Sequence, residues 1–181
     1  MKYINEIPVF FILISIACYV WIRLIYYRKK PFKIYKLREL AFIILIAYVE
    51  SLLYLTIFPS TNMVSQSLAS INVVPFDTIN LYLNFTGDKS LSFINLLGNV
   101  IVFVPIGIFP FLFWKRVSFI QIIVLGLGST FFIEMMQLIL SINGIISRSF
   151  DVDDLILNTL GVIIGYFFGL LVKGIYYQLR N

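Results

Sequence analysis

Five long apolar runs, separated by short polar stretches, dominate the pattern of the chain. Each is close to the roughly 20 residues that a helix needs to cross a hydrocarbon core about 30 Å thick. We therefore predict an all-α integral membrane protein with about five transmembrane helices. The predicted spans are residues 7–27, 37–58, 93–114, 118–140 and 153–172.

The longest polar stretch, residues 59–92, lies between the second and third spans and contains the helix breakers Pro59 and Pro75. It also holds short apolar patches, which are typical of segments that lie in the membrane interface. We predict a long, partly interfacial loop here. The first apolar run lacks a basic leading region and a small-residue cleavage site, so we expect it to be a retained helix.

Composition agrees with the membrane class. Hydrophobic residues make up 60% of the 181 positions and charged residues 13%, whereas soluble domains are about 45–50% apolar. Histidine is absent, which excludes His-based nucleophilic catalysis and His-containing zinc sites. The single cysteine, Cys18, excludes an intrachain disulfide. Any chemistry must therefore use carboxylates, Arg, Lys, Tyr, hydroxyl groups or a carboxylate-bound cation.

Basic residues set the expected orientation. The most basic stretch, residues 28–38, follows the first span, and further Lys and Arg residues fall on the same predicted side. By the positive-inside rule that side is cytoplasmic. We therefore predict an outside N-terminus, a cytoplasmic C-terminus, and outer loops at 59–92 and 141–152. The further basic residues on the cytoplasmic side are Arg23, Lys115, Arg116, Lys173 and Arg180.

Polar side chains converge at the outer ends of three spans. Glu134 and Gln137 share one helical face near the end of the fourth span, and Asp154 and Asn158 share one at the start of the fifth. Asn95 and Asn99 occupy the matching depth of the third span. An ionisable group inside a span is by default a functional-site hypothesis. The predicted ligand-binding residues are Asn99, Glu134, Gln137, Arg148, Asp151, Asp154 and Asn158.

Two other interpretations of this cluster stay open. Asp151 or Asp153 could cap the fifth helix, where carboxylates satisfy free N–H groups, and the amides could hold helices together at about 1 kcal/mol or less each. Arg148, in the loop above, is the expected partner of Glu134. Carboxylate and amide oxygens suit Mg²⁺, Ca²⁺ or Mn²⁺, but the spacing matches no EF-hand and Arg148 offsets the charge. We expect no metal and no cofactor.

The fifth span carries glycine at every fourth position, at Gly161, Gly165 and Gly169. These residues form one face that lets another helix approach closely. The face could pack against a helix of the same chain, or it could join two copies in a homo-oligomer.

Several of these residues occur in an order and spacing that resembles the VanZ-like family, small bacterial membrane proteins named for a teicoplanin-resistance protein. The resemblance covers roughly residues 45–170. We accordingly interpret 1–36 as an additional N-terminal helix with a basic cytoplasmic loop, and 37–181 as a VanZ-like membrane domain. The residues that carry the resemblance are Asn72, Pro75, Phe76, Asn95, Asn99, Phe103, Pro105, Gly107, Glu134, Gln137, Arg148, Asp151, Asp154, Asn158 and Gly161.

The resemblance implies a multi-pass protein of the bacterial cell membrane, with a role in the cell envelope and in low-level resistance to glycopeptide antibiotics. We expect the partner of the polar cluster to be a membrane lipid headgroup, a lipid-linked wall precursor or a lipoglycopeptide, and not a nucleic acid. One rival is an enzyme that acts on such a headgroup, with Glu134 or Asp154 as general base. Another is a scaffolding protein that uses the glycine face.

Overall fold

The computed structural model describes residues 9–29, 36–57, 71–87, 89–146 and 148–180. Helices account for almost all of this part of the chain, and two strands of two residues each pair with one another. The helices are α1 Val9–Lys29, α2 Lys36–Ile57, α3 Asp77–Leu83, α4 Lys89–Ile108, α5 Pro110–Phe113, α6 Phe119–Ile142 and α7 Val152–Arg180. The strands are β1 Ile71–Asn72 and β2 Phe150–Asp151.

Five helices are long and apolar enough to cross a membrane, which confirms the predicted class. The bounds of these spans differ from the predicted ones by at most three residues. Of the predicted segments, residues 1–8, 30–35, 58–70, 88, 147 and 181 lie outside the described part of the chain. The spans are Val9–Arg28, Leu37–Ile57, Ser92–Phe113, Phe119–Ile142 and Val152–Ile175.

The chain divides into two compact units, residues 1–59 and 60–181. In the first unit, Glu39 of α2 receives four hydrogen bonds from α1. Arg23 donates to it through Nε at 2.9 Å and also through Nη2, and the hydroxyl groups of Tyr19 and Tyr27 each donate at 2.7 Å. Because the charges are paired and further hydrogen-bonded, two ionisable groups are tolerated inside apolar helices.

In the second unit, α4, α6 and α7 pack around side chains such as Phe103, Ile122, Ile133 and Val162, which are at most 3% exposed. Helix α6 begins with a capping box. Its Ser118 hydroxyl accepts from the Gln121 N–H at 3.3 Å, and the Gln121 side chain accepts from the Ser118 N–H at 3.0 Å. This reciprocal pair satisfies two N–H groups that a helix otherwise leaves free.

The glycine face of α7 lies against α4 of the same chain. A Cβ atom on Gly161 would stand 2.0 Å from the carbonyl oxygen of Val100, and one on Gly165 would stand 2.0 Å from that of Val104. No side chain fits at that distance, so the glycines are what allow the two backbones to approach. Association of two copies through this face stays a prediction.

Candidate functional site

The predicted outer segment is joined to the start of α7 by a short parallel pairing. Ile71 of β1 lies opposite Phe150 of β2, and Asn72 lies opposite Asp151. The pairing brings α3, which follows β1, to the end of the bundle where α6 ends and α7 begins. The polar residues of the cluster lie at this end.

Asp151 connects three elements through its carboxylate. Its Oδ1 accepts from the N–H of Asp153 at 2.9 Å and from Asn72 Nδ2 at 3.2 Å, and its Oδ2 accepts from the Thr78 hydroxyl at 2.5 Å. The first contact is that of an N-cap residue with α7, which is one of the interpretations that the sequence left open. The other two attach β1 and α3. The residue is 7% exposed.

Asp153 caps α3 and not the helix to which it belongs. Its Oδ1 accepts from the N–H of Phe76 at 2.5 Å, and its Oδ2 accepts from the N–H of Ile79 at 3.0 Å. Phe76 is the N-cap residue of α3 and has a φ of 68°, but its apolar side chain makes no capping bond. The carboxylate of Asp153, which is fully buried, supplies that bond from a distant part of the chain.

Glu134 is 1% exposed, and its Oε2 accepts from the N–H of Asp151 at 3.0 Å. The expected ion pair with Arg148 does not form among the described residues. Arg148 is exposed, and its N–H and C=O groups bond the hydroxyl of Ser141 at 3.0 and 2.6 Å. These two bonds fix the backbone of Arg148 in the loop after α6.

Two further bonds connect the helices at this end. Asn99 of α4 donates to Asp154 Oδ1, and Asn158 Nδ2 donates to the hydroxyl of Thr130 in α6 at 2.8 Å. Asn158 is 4% exposed, and its Oδ1 has no hydrogen-bond partner in the described part of the chain. Gln137 is buried one turn from Glu134. The predicted Asn95 is instead exposed, so the face it shares with Asn99 is only partly turned inward.

Sequence reasoning did not select Thr78 or Thr130 for the cluster. Thr130 lies four residues before Glu134, so the helical period alone places both on one face, and that signal was available. Thr78 lies in a seven-residue helix in the polar stretch. Its contact with Asp151 depends on the β1–β2 pairing. Strands of two residues are too short to be predicted from a sequence pattern.

The chemistry of the site is dominated by acceptor oxygens. The described hydrogen bonds to these carboxyl groups fall on Oε2 of Glu134 and on Oδ1 of Asp154. The Oδ1 atom of Asn158 is a buried acceptor without a partner among the described residues. No group of three or more carboxylate or thiol side chains in the described ranges is arranged to hold a metal ion. The arrangement suits a molecule that brings hydrogen-bond donors.

The fold and the cluster thus define a five-span α-helical membrane protein with buried carboxylates at one end of its bundle. The chain matches the family model of VanZ/LLP1 over residues 42–173, and it belongs to that family. The match confirms the predicted resemblance and includes the whole polar cluster, while α1 lies outside it. Comparisons with curated proteins and with solved structures gave no match.

Proposed function

We propose that this VanZ-like protein binds the headgroup of an amphiphile at the polar cluster: a membrane lipid, a lipid-linked wall precursor or a lipoglycopeptide. The observation that carries the proposal is Asn158, which is 4% exposed and whose amide oxygen is buried without a partner among the described residues. An unpaired polar group away from water costs about 1–3 kcal/mol. A ligand that donates a hydrogen bond there recovers that cost.

Arg148 supports the same proposal from the edge of the cluster. It is exposed and forms no ion pair within the described residues, so its guanidinium is available to a ligand. Its planar fork suits a phosphate or a carboxylate. In this function Arg148 holds the anionic group, and Asn99, Glu134, Gln137, Asp154 and Asn158 surround the polar remainder of the headgroup. Asp151 positions the loop that carries Arg148.

The proposed orientation puts the cluster in the outer leaflet of the bacterial cell membrane. The N-terminus is outside and the C-terminus cytoplasmic, because the basic stretch 28–38 together with Lys115 and Arg116 then lies inside. Wall precursors and lipoglycopeptides meet the membrane on the outer side. A reporter fused at Asn181 should be cytoplasmic, and extracellular exposure would overturn the orientation.

Binding can be tested by ligand-induced thermal stabilisation of the purified protein. Dioctanoyl phosphatidylglycerol should raise the melting temperature of the wild type, because a ligand that binds the native state stabilises it by mass action. Dioctanoylglycerol, which lacks the phosphate, should not. Arg148→Ala should lose the phosphate-dependent shift. Arg116→Ala removes the same charge before α6, at the opposite end of that helix, and should retain it. Equal shifts in both variants would refute the headgroup site.

The family supports a further proposal, that binding contributes to teicoplanin or glycopeptide resistance. A susceptible Gram-positive host that expresses the wild-type chain should then require more teicoplanin for inhibition than the same host with an empty vector. Arg148→Ala and Glu134→Gln, expressed at matched levels, should abolish the difference. Unchanged resistance in both variants would show that resistance does not depend on the polar cluster.

An enzyme is the second candidate function. Glu134 and Asp154 are two carboxyl groups of the polar cluster, on α6 and α7, and a pair of neighbouring carboxyl groups can divide the roles of general acid and base. The enzyme would turn over a labelled lipid or polyprenyl headgroup, and Glu134→Gln would abolish turnover. Binding without any turnover in the wild type would leave the site as a binding site.

A further inference from the structure

The turn formed by residues 71–76, between β1 and α3, exposes its apolar side chains and directs its polar one toward the bundle. The amide of Asn72 donates to Asp151 at 3.2 Å, at the start of α7. The side chains of Val73, Val74 and Phe76 are instead 55–65% exposed. A segment surrounded by water favours the reverse arrangement, and adjoining exposed apolar side chains mark a contact with a membrane or another protein.

Backbone contacts hold this turn in a defined shape. Asn72 Oδ1 accepts from the N–H of Val74 at 3.1 Å, and the C=O of Val74 accepts from the N–H of Asp77 at 3.4 Å. Phe76 has a φ of 68°, a conformation that bulky residues seldom adopt. The apolar side chains are therefore presented by an ordered turn.

The depth of the turn follows from its bond to α7. Asp153 is the second residue of the span Val152–Ile175, and its Oδ1 accepts from the N–H of Phe76 at 2.5 Å. The backbone of Phe76 therefore lies at the level where this span enters the hydrocarbon. The next span begins at Ser92, so α3 connects two points at the membrane boundary. Apolar side chains exposed at this level meet lipid.

The pattern of α3 agrees with a helix that lies along the membrane surface. Tyr82 is half-buried, whereas Asn80 and Asn84, one turn apart on the opposite face, are exposed. By the helical period, Leu81 and Leu83 lie on the two flanks between these faces, and both are 66% exposed. Interfacial helices combine a polar face toward water with apolar side chains toward lipid in this way.

We propose that residues 71–76 are a membrane anchor, in which Val73, Val74 and Phe76 insert into the bilayer at the end of the bundle where α7 begins. The partner is the boundary between headgroups and acyl chains of the surrounding lipid. The anchor does not depend on a ligand at the polar cluster. The sequence predicted only that the long stretch is partly interfacial, whereas the contacts name the inserted side chains and the carboxylate, Asp153, that sets their depth.

The anchor can be tested by tryptophan fluorescence of the full chain in phosphatidylcholine vesicles. The two natural tryptophans, Trp21 and Trp114, are replaced by Phe so that a single introduced tryptophan reports. Phe76→Trp should lose fluorescence in lipid with brominated acyl chains and should be protected from iodide present on both sides of the membrane. Asn80→Trp, one turn further on the exposed polar face, is the matched control and should show the reverse.

Val73→Trp is a second reporter and decides the question if Phe76→Trp does not fold. Quenching of the reporter by iodide, with no effect of the brominated lipid, would show that the turn lies in water and would overturn the anchor. Protection from both quenchers would show that protein covers the turn, for example a second copy of the chain, and would overturn it as well.

Discussion

The carboxylate of Asp153 accepts a hydrogen bond at 2.5 Å from the backbone N–H of Phe76, 77 residues earlier in the chain. The start of α7 thereby holds the start of α3. Because Asp151 also bonds Thr78 and Asn72, two neighbouring carboxylates attach β1 and α3 to the bundle. These contacts give Asp151 and Asp153 a structural role.

Asp153→Ala should release α3 from the bundle. The change removes the charged acceptor of the Phe76 and Ile79 N–H groups, and a hydrogen bond to a charged group contributes about 1.5–3 kcal/mol. Thermal unfolding in detergent should show the loss, and amide hydrogen exchange should be faster at both residues. Asp77→Ala, at an exposed carboxylate in the first turn of the same helix, is the control and should change exchange little. Full protection of Phe76 in Asp153→Ala would contradict the capping role.

Gly165→Ala should destabilise the protein by about 1–3 kcal/mol, the usual cost of overpacking. The new Cβ would meet the Val104 carbonyl oxygen at 2.0 Å, so α4 and α7 must separate. Gly128→Ala is the matched control, because a Cβ there has nothing within 4 Å, and it should be neutral or stabilising by up to about 1 kcal/mol. If Gly165→Ala is as stable as the wild type yet inactive, the scaffolding hypothesis gains support.

Glu39→Gln should loosen the α1–α2 hairpin. The substitution removes the charge that Arg23, Tyr19 and Tyr27 all contact, and hydrogen bonds to a charged group contribute about 1.5–3 kcal/mol. A double-mutant cycle with Arg23→Gln should give a coupling energy of that size. The control is Arg28→Gln, which removes an exposed charge from α1, the helix that carries Arg23. Strict additivity in the cycle would show that the pair contributes nothing.

Asn158→Leu distinguishes a ligand site from a purely structural network. In the ligand-free protein, Leu removes the cost of the unpaired oxygen but also the 2.8 Å bond to Thr130. The two effects have opposite signs and similar size, about 1–3 kcal/mol each, so the melting temperature should change little. The lipid-dependent shift should be lost. Thr130→Val, which removes the other partner of the 2.8 Å bond, tests that bond separately. A marked loss of ligand-free stability in Asn158→Leu with the lipid shift intact would favour the structural network.

Hydrophobic runs were enough to predict the five spans, because crossing a membrane fixes both the length and the composition of a helix. The structure of the segment between the second and third spans was harder to predict from the sequence. Its β1 strand and α3 helix are held by contacts with Asp151 and Asp153, and such long-range bonds leave no periodic signal in a short polar stretch.

The candidate site was predicted in location but not in detail. The positions of Asn99, Glu134 and Asp154 along their spans predicted that the three residues lie at the same depth in the membrane. In the structure, Asn99 donates a hydrogen bond to Asp154. Depth says nothing about how a loop backbone turns, so the expected pairing of Glu134 with Arg148 was wrong, and the backbone N–H of Asp151 bonds Glu134 instead. The ligand-binding role of these residues stays a prediction.

Native mass spectrometry of the purified protein with its retained lipids tests the central claim most directly. The wild type and Arg116→Ala should carry a distinct co-purifying amphiphile whose mass identifies its headgroup, and Arg148→Ala should lose it. Identical lipid profiles in all three proteins would contradict a ligand site at the cluster and leave it a structural polar network.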